Sequence, residues 1–285
     1  MISDYRCFFC FARAFEVLLE KENLSLTDKN TFTSQMAELY RQSSGCFSAP
    51  AFARELHVAL RRLTCNADPY KEAKQKSNDL VLGQYHQLKA QILQSENPYD
   101  TALRLAIAGN IIDLAVCSEY DLPAAINKVL SSDFAIDYSK ELKQELSMAK
   151  RVLYLGDNAG EIVFDKLFIE AIMHPNLIYA VRGSSIINDA TIYDARYVGI
   201  DRVADVISNG YDAPSTIFDC CSSEFKEAFM QADVIIAKGQ GNFEGLFRHS
   251  PKDFYSLLMV KCDVIADALG VRKGDFVIKK VSSVQ

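Results

Sequence analysis

Residues 151–161 read Arg-Val-Leu-Tyr-Leu-Gly-Asp-Asn-Ala-Gly-Glu, and the reading of this stretch decides the fold. Val152, Leu153, Tyr154 and Leu155 are an uncharged run of strand formers, and a helical apolar pattern, IVFDKLFIEAI, starts at Ile162. The polar box between them is therefore a strand-to-helix turn, and in an open parallel sheet such turns line the ligand crevice. Gly156 and Gly160 permit tight backbone geometry, while Asp157 and Asn158 offer oxygen ligands just ahead of the amides of a helix N-terminus. That combination suits a cation and a phosphate held side by side.

Outward from this turn, the two sides of the chain differ in glycine use. Only Gly45, Gly83 and Gly109 precede Arg151, while the other ten of thirteen follow it. The first side reads as helical and the second as rich in strands and turns, which predicts a helical domain over 1–150 and an α/β domain over 151–285. Pro50, Pro69, Pro98 and Pro123 each begin an apolar-periodic segment, with Asp68 and Asn97 in N-cap positions before two of them, so six or seven helices are expected there. One more amphipathic stripe, carried by Tyr138, Leu142 and Leu146, leads into the strand at Val152.

After Arg151, strand candidates fall at 152–155, 177–181, 203–208, 234–237 and part of 258–266, with 276–278 as a last edge strand. Helical stretches at 162–173, 190–197 and 224–231 separate several of them. The order predicts a mostly parallel, Rossmann-like α/β/α sheet with the helical domain packed on it.

A chain of 285 residues, 49% of them hydrophobic, can bury a full-sized core. The longest weakly polar stretch, 103–117, is broken by Asn110 and Asp113 and is too short to span a bilayer, and the charged first residues do not resemble a secretory signal. A cytoplasmic protein with no membrane partner is expected. The formal charge of −6 argues against a broad nucleic-acid footprint. Eight cysteines without a secretory segment read as free thiols.

Three expected strands end in chemically loaded turns: 156–161 (GDNAGE), 182–191 (RGSSIINDAT) and 238–245 (KGQGNFEG). Strand ends of one parallel sheet converge in space. Asp157, Asn158 and Asp189 offer hard oxygen ligands with two negative charges, which suits Mg²⁺ or Mn²⁺. Lys238 offers a compact positive charge, and the amides from Gly239 to Gly241 offer donors for phosphate oxygens.

Cys7-Phe8-Phe9-Cys10, Asp68-Pro69-Tyr70, the segment from Ala108 through Gly109-Asn110 to Asp113, GDNAGE, Asn188-Asp189-Ala190-Thr191 and Lys238-Gly239-Gln240-Gly241-Asn242 occur together in this order. The combination resembles the DUF89 family of metal-dependent damage-control phosphatases, in its CxxC-bearing prokaryotic branch, from residue 7 to about residue 245. The resemblance implies a divalent metal (Mg²⁺, Mn²⁺, Co²⁺ or Ni²⁺) on Asp157, Asn158 and Asp189. It also implies a lysine at the substrate phosphate, matching Lys238, and a contribution to the pocket from Asn110 and Asp113; Asn188 and Gly239, in the turns after their strands, are further substrate-binding candidates. The family's Asn-Pro-Tyr is Asp68-Pro69-Tyr70 here.

The expected reaction is hydrolysis of a small phosphate monoester, a sugar phosphate or damaged phosphometabolite, with Asp157, Asp189 and Lys238 as the reacting set. Asp189 and Glu161 are the candidates for the general base. Two alternatives compete: an S-adenosylmethionine-dependent methyltransferase, from the likeness of VLYLGDNAG to its glycine turn, and a metal- and phosphate-binding module without turnover. Cys7 and Cys10 lack the second pair or the histidines that a zinc site requires, so buried free thiols on the first helix are expected. Lys71, Lys74 and Asn78 recur at helical spacing, and a solvated lysine face is the ordinary reading of that pattern.

Overall fold

The computed structural model describes residues 4–43, 47–109 and 122–283. Among them, seven helices come first: α1 (Tyr5–Lys21), α2 (Leu26–Gln42), α3 (Ala49–Thr64), α4 (Lys71–Leu82), α5 (Tyr85–Gln94), α6 (Pro98–Ala108) and α7 (Leu122–Ser131). Side-chain caps fix several starts: Ser25, Ser48 and Asn97 accept from backbone amides of α2, α3 and α6, and Pro98 occupies the first turn of α6. Asp68 does not cap α4, whose preceding residue is Tyr70. It pairs instead with Lys74 at 3.0 Å.

The remainder alternates: β1 (Phe134–Asp137), α8 (Ser139–Met148), β2 (Val152–Leu155), α9 (Glu161–Ile172), β3 (Leu177–Val181), α10 (Ile192–Tyr197), β4 (Asp205–Ser208), α11 (Ser223–Gln231), β5 (Val234–Lys238), α12 (Gly239–Leu246), β6 (Phe254–Met259), α13 (Asp263–Leu269) and β7 (Phe276–Val281). The strands form one sheet in the order β1-β7-β6-β5-β2-β3-β4. From β6 through β4 all pairings are parallel, whereas β7 runs antiparallel to β6 and carries β1 parallel to itself. The strand expected within 258–266 lies earlier, at β6, because the mainly apolar run begins at Phe254, and 263–269 is α13. Short β1 was not anticipated and lies among residues read as helical.

Leaving β2, the chain moves outward through β3 and β4, then returns to the other side of β2 for β5 and β6. The order therefore reverses between β2 and β5, and the crevice beyond their C-terminal ends is where open α/β sheets place ligands.

Period-two alternation divides the strand residues between two faces. Val152, Tyr154, Val234 and Ile236 join a core with residues of α4 to α9, including Phe164, Leu167 and Phe168, while Leu153, Leu155, Ile235 and Ala237 join another with α11, α12 and α13. Helices α1 to α3 have a core of their own around Phe15, Phe32, Phe52 and Leu56. Packing thus joins α4 to α8 with the sheet. No helix among the described residues is long and apolar enough to cross a membrane.

Candidate active site

At the C-terminal ends of β2, β3 and β5 lies a cavity of about 520 Å³ whose lining includes Asp157, Asn158, Asn188, Asp189, Gln240 and Gly241. Backbone bonds lock the first two turns together. Ala190 N donates to Asp157 O at 2.7 Å, Ala159 N donates to Asn188 O at 2.9 Å, and Asn158 and Asp189 form an isolated bridge. Glycine is required at two points: Gly160 has a φ of +81° against Ser77, and a Cβ on Gly241 would lie 2.4 Å from Pro214 O.

Arg182, the first residue of the second turn, directly after β3, is 2% exposed and clamps both carboxylates: Nε donates to Asp189 Oδ2 at 2.6 Å and Nη2 to Asp157 Oδ1 at 3.1 Å. Its Nη1 donates to Asn242 Oδ1 at 2.8 Å, and Asn242 Nδ2 donates in turn to Gly156 O and Lys238 O. Burial opposes the guanidinium charge, but Asp189 and Asp157 outweigh it and raise the Arg182 pKa. One cation therefore holds the two carboxylates in a single cluster, and Asn242 ties the turn after β5 to it.

Lys238 ends β5 at the same edge, yet it does not line the cavity. Its side chain is fully buried, and Nζ donates to Ala106 O at 2.7 Å, to Glu161 Oε1 at 2.7 Å and to Asp165 Oδ1 at 2.5 Å. An ammonium has three hydrogens, and all three are engaged. The expected contact with a phosphate is thus not made by this arrangement. The reason is the strand period: residues 234, 236 and 238 share a face, and that face is covered by α6 and α9. Burial pulls the Lys238 pKa down, but Asp165 and Glu161 prevail and hold the ammonium charged. Burial raises the Asp165 carboxyl against the pull of Lys238, and the hydroxyls of Tyr154 and Tyr179 donate to its two oxygens at 2.8 and 2.7 Å. Gly239 is likewise buried, and the cavity lining begins at Gln240.

Glu161 is 0% exposed and receives Lys238 on Oε1 and Asn158 Nδ2 on Oε2. Of the two general-base candidates, only Asp189 faces the cavity. Asn110 and Asp113 lie outside the described residues. Lys74 and Asn78 are buried, not solvated: Lys74 pairs with Asp68 and Asp194, and Asn78 Oδ1 accepts from Gly160 N at 2.7 Å while its Nδ2 donates to Asp194. Helix α4 thereby holds the turn after β2 in place. Cys10 is exposed and Cys7 half-buried, with burial pushing the Cys7 thiol up to about 12 beside Glu244, so Cys7 stays a thiol at neutral pH.

The sequence reading missed the roles of Arg182, Asp165 and Asn242. Two carboxylates four apart, Glu161 and Asp165, on one face of the mainly apolar helix α9 were the available signal for a buried cation between them. Lys21, Lys261 and Tyr70 also line the cavity, together with Ile187 at a φ of 44°. A β-branched residue in that region is strained, a condition that concentrates at functional sites.

Asp157, Asn158 and Asp189 present two carboxylates and an amide carbonyl, the hard donor set that a divalent cation with retained waters takes. No group of three or more His, Cys, Asp and Glu side chains among the described residues is placed to hold a metal.

The model of the damage-control phosphatase ARMT1-like domain matches residues 3–277. The chain is 34% identical over 279 residues to damage-control phosphatase PH1575 of Pyrococcus horikoshii, covering 96% of each protein, and 37% identical over 237 residues to a damage-control phosphatase of Archaeoglobus fulgidus, covering 80% of this chain and 81% of that one. A crystal structure of PH1575, described as a DUF89 family protein, superposes with a TM-score of 0.90 at 31% identity, over 98% of this chain and 99% of the other. The chain belongs to the family of damage-control phosphatases with an ARMT1-like domain.

Proposed function

We propose that the chain hydrolyses phosphate monoesters of small metabolites, with a divalent cation held by Asp157, Asn158 and Asp189. The observation that carries this reading is the convergence of those three side chains on one cavity at the point where the strand order reverses. The bound cation would supply Lewis-acid polarisation of the phosphoryl oxygens and a more acidic water.

The chain's own residues do the rest. Arg182 holds Asp157 and Asp189 side by side and offsets part of their mutual repulsion before a cation arrives. Lys21 and Lys261 bring positive charge to the same cavity, which favours a dianionic substrate over a neutral product. Asp189 is the general-base candidate that lines the cavity. Tyr70, Ile187 and Pro214 supply an apolar wall that limits water at the ester and fits a metabolite of sugar-phosphate size. The methyltransferase alternative loses its ground, because the turn after β2 presents a carboxylate and an amide to the cavity where a nucleoside cofactor requires small residues.

Phosphate release from sugar phosphates, cofactor-derived phosphates and an aryl phosphate, each with Mg²⁺, Mn²⁺, Co²⁺ and Ni²⁺, tests the reading. Metal-dependent turnover of at least one monoester is expected. Metal binding without release from any of them would leave a binding module in its place.

A further inference from the structure

Asn158 can serve a cation only through its carbonyl oxygen, so what decides its orientation decides the site. Nδ2 lies 3.1 Å from Asp157 Oδ2 and 3.3 Å from Glu161 Oε2. Both neighbours are carboxylate oxygens, which only accept, so the amide nitrogen must be the atom that faces them. Asp157 is itself a ligand candidate on the cavity wall, whereas Glu161 is wholly buried behind it.

Glu161 is in turn fixed by Lys238, and Lys238 by Asp165 and Ala106 O. Gly109, at the end of α6, closes the back of this chain: a Cβ there would lie 2.7 Å from Glu161 Cγ. Glu161 therefore has one carboxylate oxygen on a lysine that can only donate and the other on an amide nitrogen. We infer that Glu161 and Lys238 are positioning residues, which set the Asn158 amide with its carbonyl oxygen towards the cation and thereby set metal affinity, without touching substrate. This inference rests on the metal-site reading above and assigns Lys238 a role behind the ligands in place of one at the phosphate.

The substitution Glu161→Gln discriminates sharply. A glutamine keeps the size of the side chain but has one oxygen and one NH₂. Lys238 has no acceptor to offer that NH₂, whereas Asn158 has one if it rotates by half a turn. The glutamine therefore keeps its oxygen on Lys238 and turns its NH₂ to the Asn158 NH₂, and Asn158 relieves that clash only by flipping, giving up its bond to Asp157 Oδ2 and presenting its own NH₂ to the cation. Loss of such support behind a ligand weakens metal binding by roughly 10- to 100-fold. Adding Asn158→Asp restores complementarity, since a carboxylate accepts from the glutamine NH₂ with one oxygen and keeps the other for the cation.

The test is direct titration with Mn²⁺ alone, followed by KM and kcat for an aryl phosphate at saturating Mn²⁺. E161Q is expected to weaken Mn²⁺ binding at least tenfold, to keep the wild-type KM at saturating metal, and to regain most of the lost affinity when combined with N158D. Wild-type Mn²⁺ affinity in E161Q, or a double variant that binds no better than E161Q, overturns the inference. Absence of Mn²⁺ binding by the wild-type protein would overturn the metal-site reading itself, so the two failures are distinguishable.

Discussion

Replacing Arg182 by methionine tests whether the guanidinium and the cation compete for the same two carboxylates. Methionine fills part of the buried volume but leaves Asp157 and Asp189 facing each other without the donors that now lie 3.1 and 2.6 Å away. Removing one partner of a buried ion pair costs about 3–5 kcal/mol. For a chain of this length each kcal/mol corresponds to roughly 2 °C, so metal-free R182M should melt about 8 °C below the wild type. A cation that binds only the folded state returns about 2.7 kcal/mol at a hundred times its Kd. Freed of Arg182, the two carboxylates should bind it more tightly, so Mn²⁺ should raise the melting temperature of R182M more than that of the wild type. Calorimetric melting of both proteins with and without Mn²⁺ measures this. Equal Mn²⁺ stabilisation of the two proteins, or an unchanged metal-free melting temperature, would refute the reasoning.

Lys238→Met should lower stability by about 3–5 kcal/mol in urea unfolding, because it strands Glu161 and Asp165 in the interior, whereas a lysine exposed to a phosphate pocket would cost little. Cys7→Ser with Cys10→Ser should leave metal-dependent phosphate release close to that of the wild type, since neither thiol lines the cavity; loss of metal and activity together would make the pair a working site. Burial pushes Glu244 up to about 7 from its ordinary 4.5, so the folded protein holds a proton that the unfolded chain releases. That contribution to stability is complete below pH 4.5 and is lost as the pH rises through 7, so the stability advantage of the wild type over Glu244→Gln should shrink across this window. Parallel stability curves for the two proteins would contradict it.

The sheet was legible because its strands are short apolar runs bounded by turn residues, and β2 and β3 were placed to the residue. The gathering of Asp157, Asn158, Asn188 and Asp189 at one cavity was legible because the C-terminal ends of parallel strands must converge. The direction of Lys238 was less so: its position at the strand end was plain, but reading its side chain inward required the count of two from Val234 and Ile236 together with knowledge of which face α6 and α9 cover. The roles of Lys74 and Asn78 depended on contacts with Asp68, Asp194 and Gly160, partners at sequence separations that no local pattern carries. Strand β1 is four residues long and takes its register from β7, which follows it by well over a hundred residues, so its neighbourhood read as helix. Arg182 went unassigned for a similar reason, because an arginine at a strand end gains its meaning only from the two carboxylates that the fold brings to it.

The central claim is that Asp157, Asn158 and Asp189 hold a catalytic divalent cation. Crystals grown with Mn²⁺ and inorganic phosphate, with anomalous data collected at the manganese edge, test it most directly. The account predicts one strong anomalous peak at roughly 2.1 Å from a carboxylate oxygen of Asp157, the carbonyl oxygen of Asn158 and a carboxylate oxygen of Asp189, with phosphate on the cavity side. A peak elsewhere in the molecule, with no density between Asp157, Asn158 and Asp189, would contradict it.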